Sequence, residues 1–354
     1  MRGACAEFPN LHTLIGGLTS VLNSHGSTNG QVTILERQPS SPAGTFPAEI
    51  VTCRLEDGSE LRLFCKYSAG LNHNASGHRG GVAYEAAVYR HILQPSRTSV
   101  PTFYGVFADD TAGETWLILE YLDKSRRVRN TRRVGVLSQG AAWIGKFHAL
   151  SEAYLAVEPT PSLHRYDAEY YRGWARRTSL LAGRRHRRFP WLAALCERIE
   201  DVVPLLLDCP LTIIHGEYYP PNILWREEVI YPVDWESAAV AAGEIDLAAL
   251  TEGWPPGFVE QCELEYQRAR WPEGPPTGFE RRLAAARLYL HFRWLGSETD
   301  RAPSLWRFEQ LRCQGGTAGV SLSTRFHGVF VEAPAVKHAA TALGGSEKEG
   351  LSRL

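Results

Sequence analysis

The sequence predicts an α+β fold in two lobes: a small N-terminal lobe of antiparallel sheet with one helix, and a larger, mainly helical C-terminal lobe. Three observations carry this. Strand-like alternation dominates the first third of the chain, and helical periodicity dominates the rest. A short strand pair interrupts the helices around "IIHGEYYPPNILW" and "VIYPVDWE".

In the first third, "QVTILERQP" and "PAEIVTCRLEDGSELRLFCKY" are rich in β-branched residues and alternate as sheet strands do. Asp57-Gly58 separates two such runs and marks a hairpin, because a tight turn there needs positive φ. Over residues 81–93 the period changes: Val82, Ala86, Tyr89 and Leu93 recur at helical spacing. "VPTFYGVFADD" and "TWLILEYLD" return to strand character, so the first lobe is expected to span residues 1–122. The second lobe, 123–330, carries amphipathic patterns at 135–153, 168–181, 191–207 and 280–296, with "LTIIHG" and "VIYPVDW" as short strands. Residues 271–278 form a loop by their proline and glycine content. Residues 331–354 lack apolar periodicity and are expected to be a flexible tail.

At 354 residues, with 22% charged and 44% hydrophobic side chains, the composition is that of a soluble globular protein. A net charge of −1 excludes a general nucleic-acid binder, although "KSRRVRNTRR" and "RRHRR" are local basic clusters. No apolar run approaches the roughly 20 residues needed to span a bilayer, and the N-terminus has no signal-peptide pattern. Seven scattered cysteines without CxxC spacing argue against a disulfide framework or a zinc site and fit a reducing cytoplasm. Oligomeric state leaves no trace in the sequence.

Five residues stand out chemically. Lys66 ends the apolar strand "LRLFCK", where a buried ammonium is costly without a partner. Glu85, on the following helix, is placed to be that partner, and such a pair presents a cation to nucleotide phosphates. Asn222 and Asp234 offer one neutral and one anionic oxygen, a hard set that suits Mg²⁺ with several retained waters. Glu217 lies in the loop before Asn222, within reach of a substrate hydroxyl. Taken singly, each has a plainer reading: a snorkelling lysine, a solvated helix glutamate, turn-stabilising Asn and Asp. Taken together, their order and intervals point to one site.

The string "HGEYYPPNILW…VIYPVDWE…GEIDLA" resembles the H-G-D-x-x-x-x-N and I-D-W/F motif pair of the aminoglycoside phosphotransferase and choline kinase-like superfamily, distant relatives of the eukaryotic protein kinases. The resemblance extends from about residue 32 to about residue 295. It implies a bilobal protein-kinase-like fold and ATP- and Mg²⁺-dependent transfer of the γ-phosphate to a hydroxyl of a small molecule. Lys66 then contacts the α- and β-phosphates, with Glu85 as its helix partner. The backbone of Glu120, Tyr121 and Leu122 forms the hinge that holds adenine, a mode that leaves GTP equally possible. Asn222 and Asp234 are similar to the two Mg²⁺ ligands. His215 and Asp246 resemble the residues that tie the catalytic loop to the helix behind it. "GKFHAL" resembles a helix that ends in His-Ala, a packing feature.

Two departures from the motif matter. Glu217 stands where the family has a catalytic aspartate, which moves the carboxylate by roughly one C–C bond. The phosphate-covering loop "PSSPAGTFP" has no G-x-G-x-x-G, so Ser40, Ser41 and Thr45 become the candidate phosphate donors. Glu236 and Glu244 either face a cationic acceptor or are surface charge. The aromatic-rich "YDAEYYRGWARR" suits a ring-bearing or sugar acceptor. Two rival readings remain: a nucleotide-binding pseudokinase or scaffold, and a kinase for peptide or protein side chains with a basic groove of Arg126, Arg127, Arg184 and Arg185.

Overall fold

The structure is a computed structural model that describes residues 8–40, 45–69, 75–109, 113–131, 135–157, 163–185, 189–297 and 312, with only the backbone at 109 and 181–185. Ser41 and the expected tail at 331–354 lie outside the described residues.

Five strands form an antiparallel sheet in the order β1-β2-β3-β5-β4: β1 (Thr33–Pro39), β2 (Ala48–Arg54), β3 (Glu60–Tyr67), β4 (Phe103–Asp109) and β5 (Glu114–Glu120). The β2–β3 hairpin turns at Asp57-Gly58 as expected, with Gly58 at φ 84°. Period-two alternation divides the sheet between two helices. Leu63, Cys65, Trp116 and Ile118 face α1 (Leu11–His25), whose Leu14, Leu18, Val21 and Leu22 are buried against them. Leu117 and Leu119 face the opposite way, onto α2 (Gly81–Val88) with Val82 and Ala86. Lys66 follows Cys65 and therefore emerges on the α2 side. α2 continues through a five-residue π segment (Tyr89–Leu93) into the short α3 (Gln94–Ser96).

α1 is a correction to the sequence reading, which assigned no helix there. Its signals are local: Asn10 accepts a hydrogen bond from Thr13 N–H at 3.0 Å as an N-cap, and Gly26 at φ 82° ends the helix.

The remainder is mainly helical. α4 (Val136–Leu155), α5 (Ala168–Arg185), α6 (Trp191–Glu197), α7 (Ile199–Leu207), α8 (Glu244–Thr251), α9 (Pro256–Arg270) and α10 (Phe279–Ser297) enclose two small sheets. One is β10-β9-β6, built from β9 (Ile223–Arg226), β10 (Val229–Pro232) and β6 (Arg126–Arg127). The other is β7-β11-β8, built from β7 (His164–Arg165), β11 (Ala239–Ala242) and β8 (Leu211–Ile214). The single helix expected over 191–207 is two, because Arg198 leaves helical geometry between α6 and α7. Among the described residues no helix is long and apolar enough to cross a membrane.

Candidate active site

Lys66 is buried and bridges two halves of the chain. Its Nζ donates to Glu85 Oε2 at 2.7 Å and to Asp234 Oδ1 at 2.7 Å, and Glu236 Oε2 lies at 3.7 Å. Burial works against the ammonium charge, but Glu85, Asp234 and Glu236 outweigh it and push the Lys66 pKa up. The other oxygen of Glu85 accepts the Trp235 N–H at 3.0 Å, so one carboxylate fixes both the lysine and the backbone beside Asp234. Asp234 itself sits at φ 70°, a left-handed conformation that side chains rarely adopt and that recurs at functional sites. Glu236 is pushed up to about 7 by burial and by the charges of Asp234 and Glu85, against the opposing pull of Lys66. Its Oε2 has no hydrogen-bond partner.

The loop after β8 is held from behind by one carboxylate. Asp246, near the start of α8, accepts the backbone N–H groups of His215 at 2.6 Å and Gly216 at 3.0 Å. His215 donates through Nε2 to the Val233 carbonyl at 3.0 Å, which leaves Nδ1 to accept the Glu217 N–H at 3.3 Å. Gly216 lies at φ 81°, and a Cβ there would collide with the Ser237 carbonyl oxygen. Gly216→Ala is therefore expected to cost at least about 2 kcal/mol and to lower the thermal midpoint, with activity falling in step. Asn222 donates from Nδ2 to the Glu217 carbonyl at 3.1 Å, and its own carbonyl accepts the Val233 N–H at 2.9 Å. Since Ile223 pairs with Pro232 across β9–β10, the hairpin sets Asn222 opposite Val233 and next to Asp234.

One expectation here needs correcting. His148 does not end its helix, since α4 continues to Leu155. Nor is it only a packing residue: it is fully buried, with Nε2 3.2 Å from Asp246 and Nδ1 3.0 Å from the Tyr266 hydroxyl.

Glu217 occupies a cationic cage that the sequence reading did not foresee. Arg79 Nη2 lies 3.1 and 3.0 Å from its two oxygens, and Arg293 Nη1 lies 3.0 Å from Oε1. His78 Nε2 is 3.5 Å from the same oxygen and contacts Arg293 Nη1. Arg79 also donates to Thr45 Oγ1 at 3.0 Å and reaches Glu236 at 3.3 Å, so it joins the phosphate-loop candidate to both acids. Burial favours the neutral Glu217 carboxyl, but His78, Arg293 and Arg79 override it and hold the group well below the usual carboxylate range. His78 is lowered to about 4 by burial and by Arg293, against the pull of Glu217, and is neutral at pH 7. Its Nδ1 lies 2.9 Å from the hydroxyls of both Tyr166 and Tyr170.

A pH dependence follows from that histidine. The unfolded chain binds a proton near pH 6.5 that folded His78 refuses until about pH 4, so the native state loses stability as pH falls through this window. Glu217 acts in the same direction, since its depressed pKa stabilises the fold above the unfolded carboxylate value and that contribution is lost on acidification. Urea unfolding is expected to show about 2 kcal/mol less stability from His78 at pH 5 than at pH 7.5, a slope that His78→Gln removes.

At the hinge, Glu120 N–H donates to the Thr102 carbonyl at 2.8 Å and Tyr121 N–H to the Arg62 carbonyl at 2.9 Å. Leu122 is thus the one of the three whose N–H the adjacent sheet does not use among the described residues. Ser40 closes the β1–β2 connection through its N–H to the Ala48 carbonyl at 2.8 Å, and no described contact joins it to the cluster. Glu244 is buried beneath Arg282 at 3.0 Å and Arg270 at 3.7 Å, and so is consumed by internal ion pairs. Arg127 donates to the Pro221 carbonyl and braces the loop ahead of Asn222. Arg126 pairs with Trp225 in β6–β9, and the side chains of Arg184 and Arg185 lie outside the described residues.

Among the described residues no group of three or more His, Cys, Asp and Glu side chains is arranged to hold a metal by itself. The donors present nonetheless fit a hard cation that keeps much of its water. Asp234 commits only Oδ1 to Lys66, Asn222 turns its amide nitrogen to Glu217 and so frees its oxygen, and Glu236 Oε2 is a buried acceptor without a donor.

An antiparallel sheet presenting a paired lysine, opposite a helical region presenting the Glu217 loop and Asp234, defines a kinase-like enzyme. The chain belongs to the phosphotransferase enzyme family (APH), whose sequence profile matches residues 71–284. No curated protein sequence matches the chain at a significant level. Solved structures of similar fold include choline kinase LicA from Streptococcus pneumoniae, with a TM-score of 0.56 and 11% identity over 88% of this chain and 99% of that one. A choline kinase from Cryptosporidium parvum Iowa II gives 0.56 and 11% over 88% and 96%. Amicoumacin kinase hAmiN, in complex with AMP-PNP, Ca²⁺ and Ami, gives 0.50 and 15% over 80% and 88%.

Proposed function

We propose that the protein is an ATP- and Mg²⁺-dependent phosphotransferase that moves the γ-phosphoryl group to a hydroxyl of a small molecule, with GTP as an equally compatible donor. The observation that carries this is Lys66, whose ammonium joins Glu85 of α2 to Asp234 of the C-terminal hairpin at 2.7 Å each. The lobe boundary falls at the hinge near Leu122. The backbone there takes the base, and Lys66, fixed by Glu85, grips the α- and β-phosphates. Thr45 and Arg79 face the terminal phosphate. Asn222 and Asp234 would hold Mg²⁺, which would supply neutralisation of phosphate charge during transfer.

In the transfer step a bond forms from the acceptor oxygen to Pγ, and the bond from Pγ to the β,γ-bridging oxygen breaks to release the nucleoside diphosphate. Glu217 is a weak base in its cage, so its main task is to orient the acceptor hydroxyl. It receives the hydroxyl proton only as the new O–P bond completes, as suits a loose transition state. The five described free cysteines, Cys53, Cys65, Cys196, Cys209 and Cys262, suit a reducing cytoplasm. The test is a phosphate-transfer screen of the purified protein against a panel of hydroxylated metabolites, with ATP or GTP and Mg²⁺. Transfer that is absent for every acceptor, with no magnesium-dependent nucleotide binding by calorimetry, would refute the reading.

A further inference from the structure

Arg293 carries an unused binding edge beside Glu217. The residue is 4% exposed, and its Nη1 is committed to Glu217 and His78, yet Nε and Nη2 have no hydrogen-bond partner. Those two nitrogens point their N–H bonds in parallel, the arrangement that matches the two oxygens of a carboxylate or a phosphate. This chain uses that same edge twice elsewhere. Arg37 grips Glu49 through Nε at 2.8 Å and Nη2 at 2.7 Å, and Arg172 grips Glu200 through both nitrogens at 2.7 Å. Buried donors are rarely left unmatched in native proteins, so two on one guanidinium next to a reactive carboxylate call for a ligand.

The surrounding charge points the same way. Glu217 is faced by two guanidinium groups, Arg79 and Arg293, while His78 is neutral and the wall beyond it is phenolic: Tyr166 and Tyr170 on His78, and Tyr170 on Tyr289 at 2.8 Å. Arg293 also stands over the Tyr219 ring at 5.7 Å, in the same loop that carries Asn222. A cationic acceptor would meet an acid that is already neutralised, with Glu244 turned away into its own ion pairs.

Resting on the phosphotransferase reading, we propose that the acceptor is an anionic hydroxy compound whose carboxylate or phosphate is clasped by the Nε–Nη2 edge of Arg293, which sets its hydroxyl against Glu217. Arg293 is on this account a specificity-determining residue.

A matched series tests the charge alone: glucose, glucuronate, glucose 6-phosphate and glucosamine, titrated calorimetrically into the full-length protein. At least one of the two anions is expected to bind 10-fold or more tightly than both glucose and glucosamine, and which anion does so separates the carboxylate from the phosphate source. Arg293→Lys, which keeps a cation for Glu217 but loses the fork, is expected to raise that Kd at least 10-fold and leave nucleotide affinity within 2-fold. No preference for either anion, including no binding by any of the four, overturns the proposal, as does an anion preference unchanged in Arg293→Lys. The wild-type series stands even if the variant fails to fold. Magnesium-dependent nucleotide binding is measured separately, so failure of the acceptor assignment and failure of the phosphotransferase reading are told apart.

Discussion

Asp234→Ala is expected to lower kcat/KM for phosphoryl transfer by about 10³-fold or more, the largest effect of any single substitution in this site. The substitution removes the anionic member of the proposed metal pair and one of the two close partners of Lys66. Positioning and electrostatic stabilisation supply most of phosphoryl-transfer catalysis, and on the proposed reading this residue serves both. Nucleotide titration with and without Mg²⁺ separates the contributions. The variant should lose the magnesium-dependent part of its nucleotide affinity, while Lys66, still paired with Glu85 at 2.7 Å, should keep the contact with the phosphates proposed for it. An Asp234→Ala protein with near-normal turnover would remove this residue from the metal site.

The second large effect concerns Glu217, and its direction is counter to the motif. Glu217→Asp restores the family's residue, yet it is expected to lower kcat about 10²-fold, because the cage of Arg79, Arg293 and His78 is built around the longer side chain. Shortening the arm by one methylene cannot keep both guanidinium contacts near 3.0 Å without moving the loop. Glu217→Gln keeps the shape but strands the almost fully buried Arg293, while Arg79 still has Glu236 at 3.3 Å, and unpairing a buried charge costs about 3–5 kcal/mol. Thermal unfolding and steady-state rates of the two variants, measured side by side, check both statements. A faster Asp variant would mean that the cage is incidental to catalysis.

The legible part of this site is the part encoded by short-range pattern. Lys66 is visible because strand alternation places a charge at the end of an apolar run. Asn222 and Asp234 are visible because a hairpin of fixed register separates them. The cage is invisible for the opposite reason. Arg79 and Arg293 are 138 and 76 residues from Glu217 in the chain, and nothing local marks either as a partner. A retrospective signal exists for Arg293. It lies in α10 among Leu290, Phe292 and Leu295, all buried, and a charged residue on a helix buried on nearly every side needs a partner. Helix α9 escaped the sequence reading because its buried stripe is only Cys262, Tyr266 and Arg270, too narrow and too polar to register as amphipathic. The glutamate at position 217 is visible in the motif itself, but the guanidinium groups that hold it come from distant parts of the chain.

Asp246 gives the site a property that ligands do not have to create. By capping two successive amides at the root of the loop, while His148 and Tyr266 back it from the interior, it fixes the path of the chain from His215 onward before any substrate arrives. The carboxylate of Glu217 and the amide of Asn222 therefore belong to a preorganised frame. Little ordering entropy remains to be lost in that frame on binding, so more of the interaction free energy is available for the transition state.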